Sequence, residues 1–355
     1  MSGGVDSSVA AWLLRRQGHE VIGVFMRHGV GATETCQVGP GPAKSHKQGC
    51  CSAADADDAR RVAGLLEIPF YALNFEEEFG RIVDYFVDEY AAGRTPNPCV
   101  VCNTWLKFGR LFEFADSVGA DAVATGHYAR LVPSDDPDLP ALCRGLDGGK
   151  DQSYVLFGID RGRLRWMRFP VGEYRKDEIR RMAGEIGLRV ADKRDSQEIC
   201  FVPDQDHARL VRERRGGADA PGEIVTTDGT VVGHHQGIEQ FTIGQRKGLG
   251  IAFGEPRYIV RLDAQTRRVI VGTLEDLART ELTASGANWL VEEPHQPIAC
   301  QVKIRYRSRA CEAELEPLPG GRFRVVFREP CSGVAPGQAA VCYQADRVLG
   351  GGWIE

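Results

Sequence analysis

The sequence predicts an α/β protein built as a doubly wound parallel sheet, followed by a small central β-rich domain and a C-terminal β-barrel. The first part rests on three short apolar runs, Val21-Ile22-Gly23-Val24-Phe25, Phe70-Tyr71-Ala72-Leu73-Asn74 and Asp121-Ala122-Val123-Ala124-Thr125, separated by helix-like stretches such as Ala53 to Leu66. That alternation indicates parallel strands wrapped by helices. The second part rests on a change of pattern beyond about Pro203, where turn signals such as Asp228-Gly229 and Gly320-Gly321 divide short strand candidates. A chain of 355 residues exceeds one ordinary core, which implies two or three domains. Their expected extents are residues 1–203, 204–275 and 276–355.

The clearest strand runs from Cys300 to Arg307, where Cys300, Val302, Ile304 and Tyr306 alternate with Gln301, Lys303, Arg305 and Arg307. One face is apolar and the other mostly basic. A second, Arg322 to Arg328, places Phe323, Val325 and Phe327 on one face, and the two together suggest the barrel. Gly31 to Gln48, rich in glycine, proline and polar residues, reads as a flexible loop. No internal repeat is visible.

Composition narrows the function classes. Hydrophobic content of 43% and charged content of 26% are ordinary soluble values, and no apolar run is long enough to span a bilayer or serve as a signal peptide. Eleven cysteines, an odd number at irregular spacing in a long chain, argue for a reducing cytoplasm rather than a disulfide scaffold. With a net charge of −5, a nucleic-acid partner would have to be met by local basic stretches.

Ser2-Gly3-Gly4-Val5-Asp6-Ser7-Ser8 runs straight into the helical pattern Val9, Trp12, Leu13. Glycines let backbone N–H groups approach an anion, hydroxyls add donors, and a helix N-terminus favours negative charge, so this is a phosphate cradle. A glycine-rich turn capped by Ser and Asp is the bland alternative. The loop lacks the Lys-Ser/Thr ending of a Walker loop and resembles the pyrophosphate loop of ATP-pyrophosphatases, which adenylate their substrates.

Thr95-Pro96-Asn97-Pro98-Cys99-Val100-Val101-Cys102-Asn103 sets two thiols on a proline-stiffened segment, and Cys200 follows Lys193-Arg194-Asp195-Ser196-Gln197-Glu198-Ile199, where nearby positive charge would favour a thiolate. Half of a zinc site is the competing reading of the Cys-x-x-Cys pair, but no second pair stands at ligand spacing. Cys143, Cys300, Cys311, Cys331 and Cys342 read as inert packing thiols, and Cys36, Cys50 and Cys51 at the border of the loop carry no assignment.

With these pieces in place the chain resembles the bacterial tRNA-specific 2-thiouridylase (MnmA) family over nearly its whole length. Besides the loop and thiols, the resemblance is carried by Ala124-Thr125-Gly126-His127-Tyr128, Lys150-Asp151-Gln152-Ser153-Tyr154, Asp195 to Phe201, Phe241 to Gly250, Ile304-Arg305-Tyr306-Arg307 and Pro336-Gly337-Gln338. It implies ATP, assisted by Mg²⁺, held by Ser2 to Ser8, by Met26 and by Gly126 at a strand end. It further implies that Asn97, Pro98 and Cys99 meet the target base, and that His127, Lys150, Asp151, Gln152, Arg305, Tyr306 and Gln338 contact tRNA. Asp6 would position metal or phosphate.

In the chemistry so implied, ATP adenylates the C2 oxygen of a wobble uridine, Cys200 delivers sulfur to C2 as a persulfide, and Cys102 closes a disulfide with it. A cysteine desulfurase or a relay protein would supply the sulfur to a monomeric enzyme, with no membrane involved. Two departures from the family pattern stand out. Met1 directly precedes the loop, where the family has an apolar strand, so a further strand is expected upstream; and Cys99 replaces an acidic residue common in relatives. Cys99, Cys102 and Cys200 together would suit a [4Fe–4S] cluster, an alternative to the favoured persulfide route. Another ATP-pyrophosphatase, such as a lysidine synthase or an amidotransferase synthetase domain, needs the loop but not the thiol pair. A non-catalytic iron–sulfur or RNA-binding protein needs neither reaction.

Overall fold

The computed structural model describes residues 1–29, 53–191, 193, 199–202, 206–217, 220–251 and 253–355. The loop 31–48, Cys36, Cys50 and Cys51, the Arg194-to-Glu198 part of the Cys200 motif, and the domain boundary at 203 lie outside the described residues. The chain divides into two compact units, of residues 1–82, 102–156 and 162–205, and of residues 83–101, 157–161 and 206–355.

The first unit opens with helix Val5–Arg16, which begins after an extended Gly4, carries Asp6 in its first turn and Arg15 and Arg16 in its last, and so complements its own dipole. Gly18 ends the segment with φ of 87°, a left-handed position that glycine adopts without strain. Strand β1 (Gly23–Arg27) pairs in parallel with β2 (Phe70–Asn74), with helix Ala53–Leu65 between them in sequence. β3 (Val123–Ala124) pairs in parallel with β6 (Met167–Arg168), and β4 (Ala129–Val132) and β5 (Ala141–Arg144) form an antiparallel pair. Val5, Val9 and Leu13 of the first helix pack with Ile179 and Ala183 of helix Lys176–Glu185 and with Val62 and Leu66. Each such aliphatic side chain contributes about 1.5–3 kcal/mol on burial, so the helix that carries the phosphate loop is anchored along its length.

The second unit holds a four-stranded sheet of β7 (Gly222–Thr226), β8 (Val231–His235), β9 (Tyr258–Asp263) and β10 (Arg268–Gly272), in the order β8-β7-β10-β9. Its core is Ile224, Ile259, Val269 and Val271 with Phe241, Ile243 and Leu277. The six strands β11 (Ala278–Trp289), β12 (Ile298–Lys303), β13 (Cys311–Leu318), β14 (Arg322–Ser332), β15 (Ala339–Gln344) and β16 (Arg347–Ile354) follow the order β11-β14-β13-β12-β15-β16, and β11 also pairs with β16. The sheet therefore closes into a barrel, filled by Val302, Leu315, Phe323, Val325 and Cys342. The α/β class with a β-rich middle and a terminal barrel is the architecture expected from the sequence.

Details differ. The strand expected from Cys300 to Arg307 ends at Lys303, because Ser308 turns the chain: its hydroxyl accepts from the Arg305 backbone at 3.2 Å and its N–H donates to the Arg305 carbonyl at 3.1 Å. Ile304 still points into the core, whereas Tyr306 is 37% exposed. The strand near residue 21 starts at Gly23, and the one near residue 121 keeps only Val123 and Ala124. The Arg322 strand runs on to Ser332.

Candidate active site

The phosphate loop is held in shape by its own hydroxyls. Ser2 N–H donates to Ser7 Oγ at 3.1 Å, the Ser2 and Ser7 hydroxyls lie 3.2 Å apart, and Ser8 Oγ donates to the Gly4 carbonyl at 2.8 Å. Gly3 has φ of 69°, and a Cβ there would stand 2.9 Å from Asp55 Cα, so both its conformation and its neighbour require glycine. Lys193 braces the loop from beneath, donating to the Gly3 carbonyl at 3.0 Å and to Asp55 and Asp58 at 2.6 and 2.9 Å. Burial opposes its charge, but the bonds to the two carboxylates outweigh that and raise its pKa above the ordinary value. The charge of Lys193, read from sequence as an aid to Cys200, is committed to this brace.

The Asp6 carboxylate is engaged from two sides. Its Oδ1 accepts from the Tyr128 hydroxyl at 2.7 Å, and both of its oxygens accept from Lys176 Nζ at 2.8 Å. For Asp6 to meet Mg²⁺ directly, the Lys176 ammonium would have to share the carboxylate or shift toward another anion.

Gly126 closes over the same loop: a Cβ there would stand 2.6 Å from the Ser7 nitrogen and 2.7 Å from the Asp6 carbonyl carbon. The backbone of the segment after β3 thus meets the loop at the carboxyl end of a parallel strand, where doubly wound sheets bind ligands. His127 next to it is buried, with Nδ1 2.7 Å from Thr125 Oγ1 and its ring near Phe108 and Phe169. Burial, helped by Lys107, pushes its pKa well below the usual 6.5, so it is neutral.

The Lys150–Tyr154 motif is mainly a brace for Tyr128. Gln152 Oε1 accepts from Tyr128 N–H at 2.9 Å, and Gln152 N–H donates to the Tyr128 carbonyl at 2.8 Å. Asp151 is buried and accepts from the backbone N–H groups of Gly145 and Ser153 at 3.2 and 3.1 Å. A chain of contacts therefore runs from Gln152 through Tyr128 and Asp6 to Lys176.

Cys102 and Cys200 belong to the first unit, and both are half-buried. Cys102 is the first residue of a π-helix, Cys102–Arg110, a geometry frequent at functional sites. The Asn103 side chain ties that helix to the Val155 carbonyl at 3.1 Å. Phe201, beside Cys200, packs edge-on to Phe79, which stacks on His28 with ring centroids 4.0 Å apart. Cys99 is exposed. Among the described residues no three His, Cys, Asp or Glu side chains are arranged to hold a metal ion. Cys143, Cys300, Cys331 and Cys342 are buried as packing thiols; Cys311, expected among them, is half-buried with its sulfur 3.1 Å from that of Cys331.

In the second unit two motifs far apart in sequence meet. Gln338 Nε2 donates to the carbonyls of Thr95 and Pro96 at 3.1 and 3.0 Å, and its Oε1 accepts from Asn97 Nδ2 at 3.4 Å. Thr95 N–H donates to the Pro336 carbonyl at 2.8 Å. Asn97 Oδ1 accepts from Val100 N–H at 3.3 Å, at the start of the short helix Pro98–Val101 that carries Cys99. Arg305 donates to the carbonyls of Gly333 and Ile243 at 3.2 and 2.7 Å, and Lys303 Nζ lies 5.8 Å from the Tyr306 ring centroid. Met26 lies near the end of β1, paired with Leu73.

Three family models match in series: the tRNA methyl transferase HUP domain over residues 1–204, the tRNA methyl transferase PRC-barrel domain over 213–273 and the aminomethyltransferase β-barrel domain over 279–354. Proteins named tRNA-specific 2-thiouridylase MnmA match the whole chain. The one from Rhodopirellula baltica is 54% identical across 94% of its length, that from Geobacter metallireducens 49% across 95%, and that from Clostridium perfringens 45% across 97%. The chain belongs to the tRNA-specific 2-thiouridylase (MnmA) family.

Within that family frame, the structure adds residues that sequence reading passed over. Lys176, Lys193 and Tyr128 all touch the phosphate loop or its Asp6. Tyr128 was legible as part of a motif and Lys193 as a charge near Cys200, but Lys176 looked like an ordinary charge at a helix start, since its partner Asp6 is 170 positions away.

Proposed function

We propose that this chain is a tRNA-uridine 2-sulfurtransferase that adenylates the wobble uridine with ATP and replaces its 2-oxygen with sulfur. The observation that carries the reading is one compact unit holding both a preformed phosphate loop closed over by Gly126 and two half-buried thiols, Cys102 and Cys200. ATP would lie on Ser2 to Ser8, with Met26 and Gly126 beside it, and Asn97, Pro98 and Cys99 would meet the extruded base.

The C2 oxygen of uridine leaves poorly; as an adenylate it departs with AMP, and pyrophosphate has already gone. The terminal sulfur of a Cys200 persulfide forms the new bond to C2. The Cys102 thiolate then attacks the Cys200 sulfur, breaking the S–S bond, leaving the thiocarbonyl on the base and a Cys102–Cys200 disulfide on the protein. An external thiol reductant returns the pair to its starting state. A cysteine desulfurase or relay protein loads Cys200, and the enzyme acts as a monomer in the cytoplasm, with domains at 1–203, 204–275 and 276–355.

Of the tRNA-contact set, Lys150 and Tyr306 offer side chains at the surface, while buried His127, Asp151 and Gln338 would act by holding the loops that meet the RNA. Methyl transfer, suggested by the family models' descriptions, would not need a loop built to hold a polyphosphate. Nucleoside mass spectrometry of tRNA from cells with and without the gene tests the proposal. Loss of 2-thiouridine on deletion supports it, and unchanged 2-thiouridine with loss of a methylated nucleoside would overturn it.

A further inference from the structure

We infer that Lys176 is the cation of the phosphate site, aimed by Asp6 and Tyr128 so that its ammonium meets the polyphosphate of ATP and the pyrophosphate that leaves. The inference rests on the ATP reading above. Ser2 to Ser8 contains no Lys or Arg. Where a phosphate loop carries its own lysine, that residue reaches the outer phosphates; here the charge has to come from elsewhere in the fold.

Lys176 supplies it. Its Nζ stands 2.8 Å from both oxygens of Asp6, a residue of the loop itself. Its place in its own helix does not favour a cation there. Lys176 is the first residue of helix Lys176–Glu185, where the macrodipole disfavours a cation, and its side chain is only 9% exposed, which costs desolvation. The Tyr128 ring centroid lies 5.7 Å from Nζ, and the Tyr128 hydroxyl fixes the Asp6 carboxylate at 2.7 Å. The ammonium is thus aimed before any ligand arrives.

Lys193, the other lysine at the loop, is a poorer candidate. It faces two carboxylates and the Gly3 carbonyl, so its charge is more than balanced. Lys176 meets the Asp6 carboxylate of the loop itself, which also accepts from the Tyr128 phenol. A polyphosphate carries several charges where Asp6 carries one, and it would draw the ammonium's hydrogen bonding toward itself.

Calorimetric binding of ATP and of adenosine to the full chain tests the inference. Lys176→Met should weaken ATP about 10- to 100-fold, the range expected for a lost charge-assisted hydrogen bond, and leave adenosine unchanged. Lys176→Arg should keep most of the ATP affinity. The double variant Asp6→Asn with Lys176→Met removes both charges, and it should bind ATP as weakly as Lys176→Met. Recovery of wild-type ATP affinity in the double variant would mean that Lys176 only cancels Asp6, and would overturn the inference. Should Lys176→Met not fold, the double variant against wild type decides. A folded Lys176→Met that binds ATP like wild type overturns the lysine role alone. A wild type that binds ATP no better than adenosine removes the ATP reading with it.

Discussion

Gln338 and Asn97 meet across 241 positions of sequence through a 3.4 Å hydrogen bond from Asn97 Nδ2 to Gln338 Oε1, while Gln338 Nε2 donates to the carbonyls of Thr95 and Pro96. The segment proposed to meet the target base is therefore shaped by a residue just ahead of β15. Gln338→Leu should cost about 1–3 kcal/mol, because buried carbonyls lose their donors, and urea unfolding measures it. Unchanged stability combined with weaker tRNA binding would instead place Gln338 on the RNA.

The two thiols are expected to act after ATP has done its work. Cys102→Ser and Cys200→Ser should each abolish 2-thiouridine formation while leaving tRNA-dependent pyrophosphate release within about two- to threefold of wild type, since no transition-state contact to the phosphates is lost. Loss of pyrophosphate release in a variant that still melts cooperatively would break this division of labour.

Gly126 leaves no room for a side chain. Gly126→Ala drives a methyl onto the backbone of Ser7 and Asp6 and should cost about 1–3 kcal/mol of stability or displace the loop and weaken ATP binding. Gly64→Ala is the control: nothing lies within 4 Å of the new methyl, and inside helix Ala53–Leu65 it should stabilise by about 0.5–1 kcal/mol. Thermal melts of the two variants should move in opposite directions.

Arg305 bridges the Ile243 and Gly333 carbonyls, so Arg305→Met is expected to destabilise the second unit by about 1–3 kcal/mol even without RNA. A variant with an unchanged melting temperature and reduced tRNA affinity would assign Arg305 wholly to the RNA.

His127 makes stability pH-dependent in a defined direction. Its folded pKa lies well below 6.5, so as pH falls below 6.5 the unfolded chain takes up a proton that the folded chain refuses. Stability is fully present above pH 6.5 and declines with acidification toward the folded pKa, by at most about 1.4 kcal/mol per pH unit for one proton. His127→Gln should flatten the decline relative to wild type in urea titrations between pH 6.5 and 5; parallel curves would show that the decline comes from other groups.

The parts of the site that were legible in the sequence were those whose chemistry is local. Ser2 to Ser8 announces an anion cradle because glycines, hydroxyls and a helix start lie in one short run. Cys102 and Cys200 stood out through their flanking motifs. The Asp6–Lys176 pair could not be read, since a lysine followed by Asp and Glu at a helix start looks like a solvated turn until the fold brings Asp6 to it. Arg305 and Tyr306 illustrate the opposite error. Alternation carried the strand too far, because a side-chain hydroxyl at Ser308 ended it where period-two hydrophobicity gave no sign. The barrel itself was legible from Phe323, Val325 and Phe327, but its closure depends on β11 meeting β16, a pairing that no local pattern encodes.

That closure limits how the barrel can be recognised. An open sheet presents a row of bare amides and carbonyls that a foreign strand can copy onto, whether in a legitimate complex or in a fibre. Because β11 bonds to β14 on one side and β16 on the other, the cylinder offers no such seam between its first and last strands. A macromolecule that meets it there has to do so through side chains on its wall or at its turns, such as the short bend that exposes Tyr306 and Arg307.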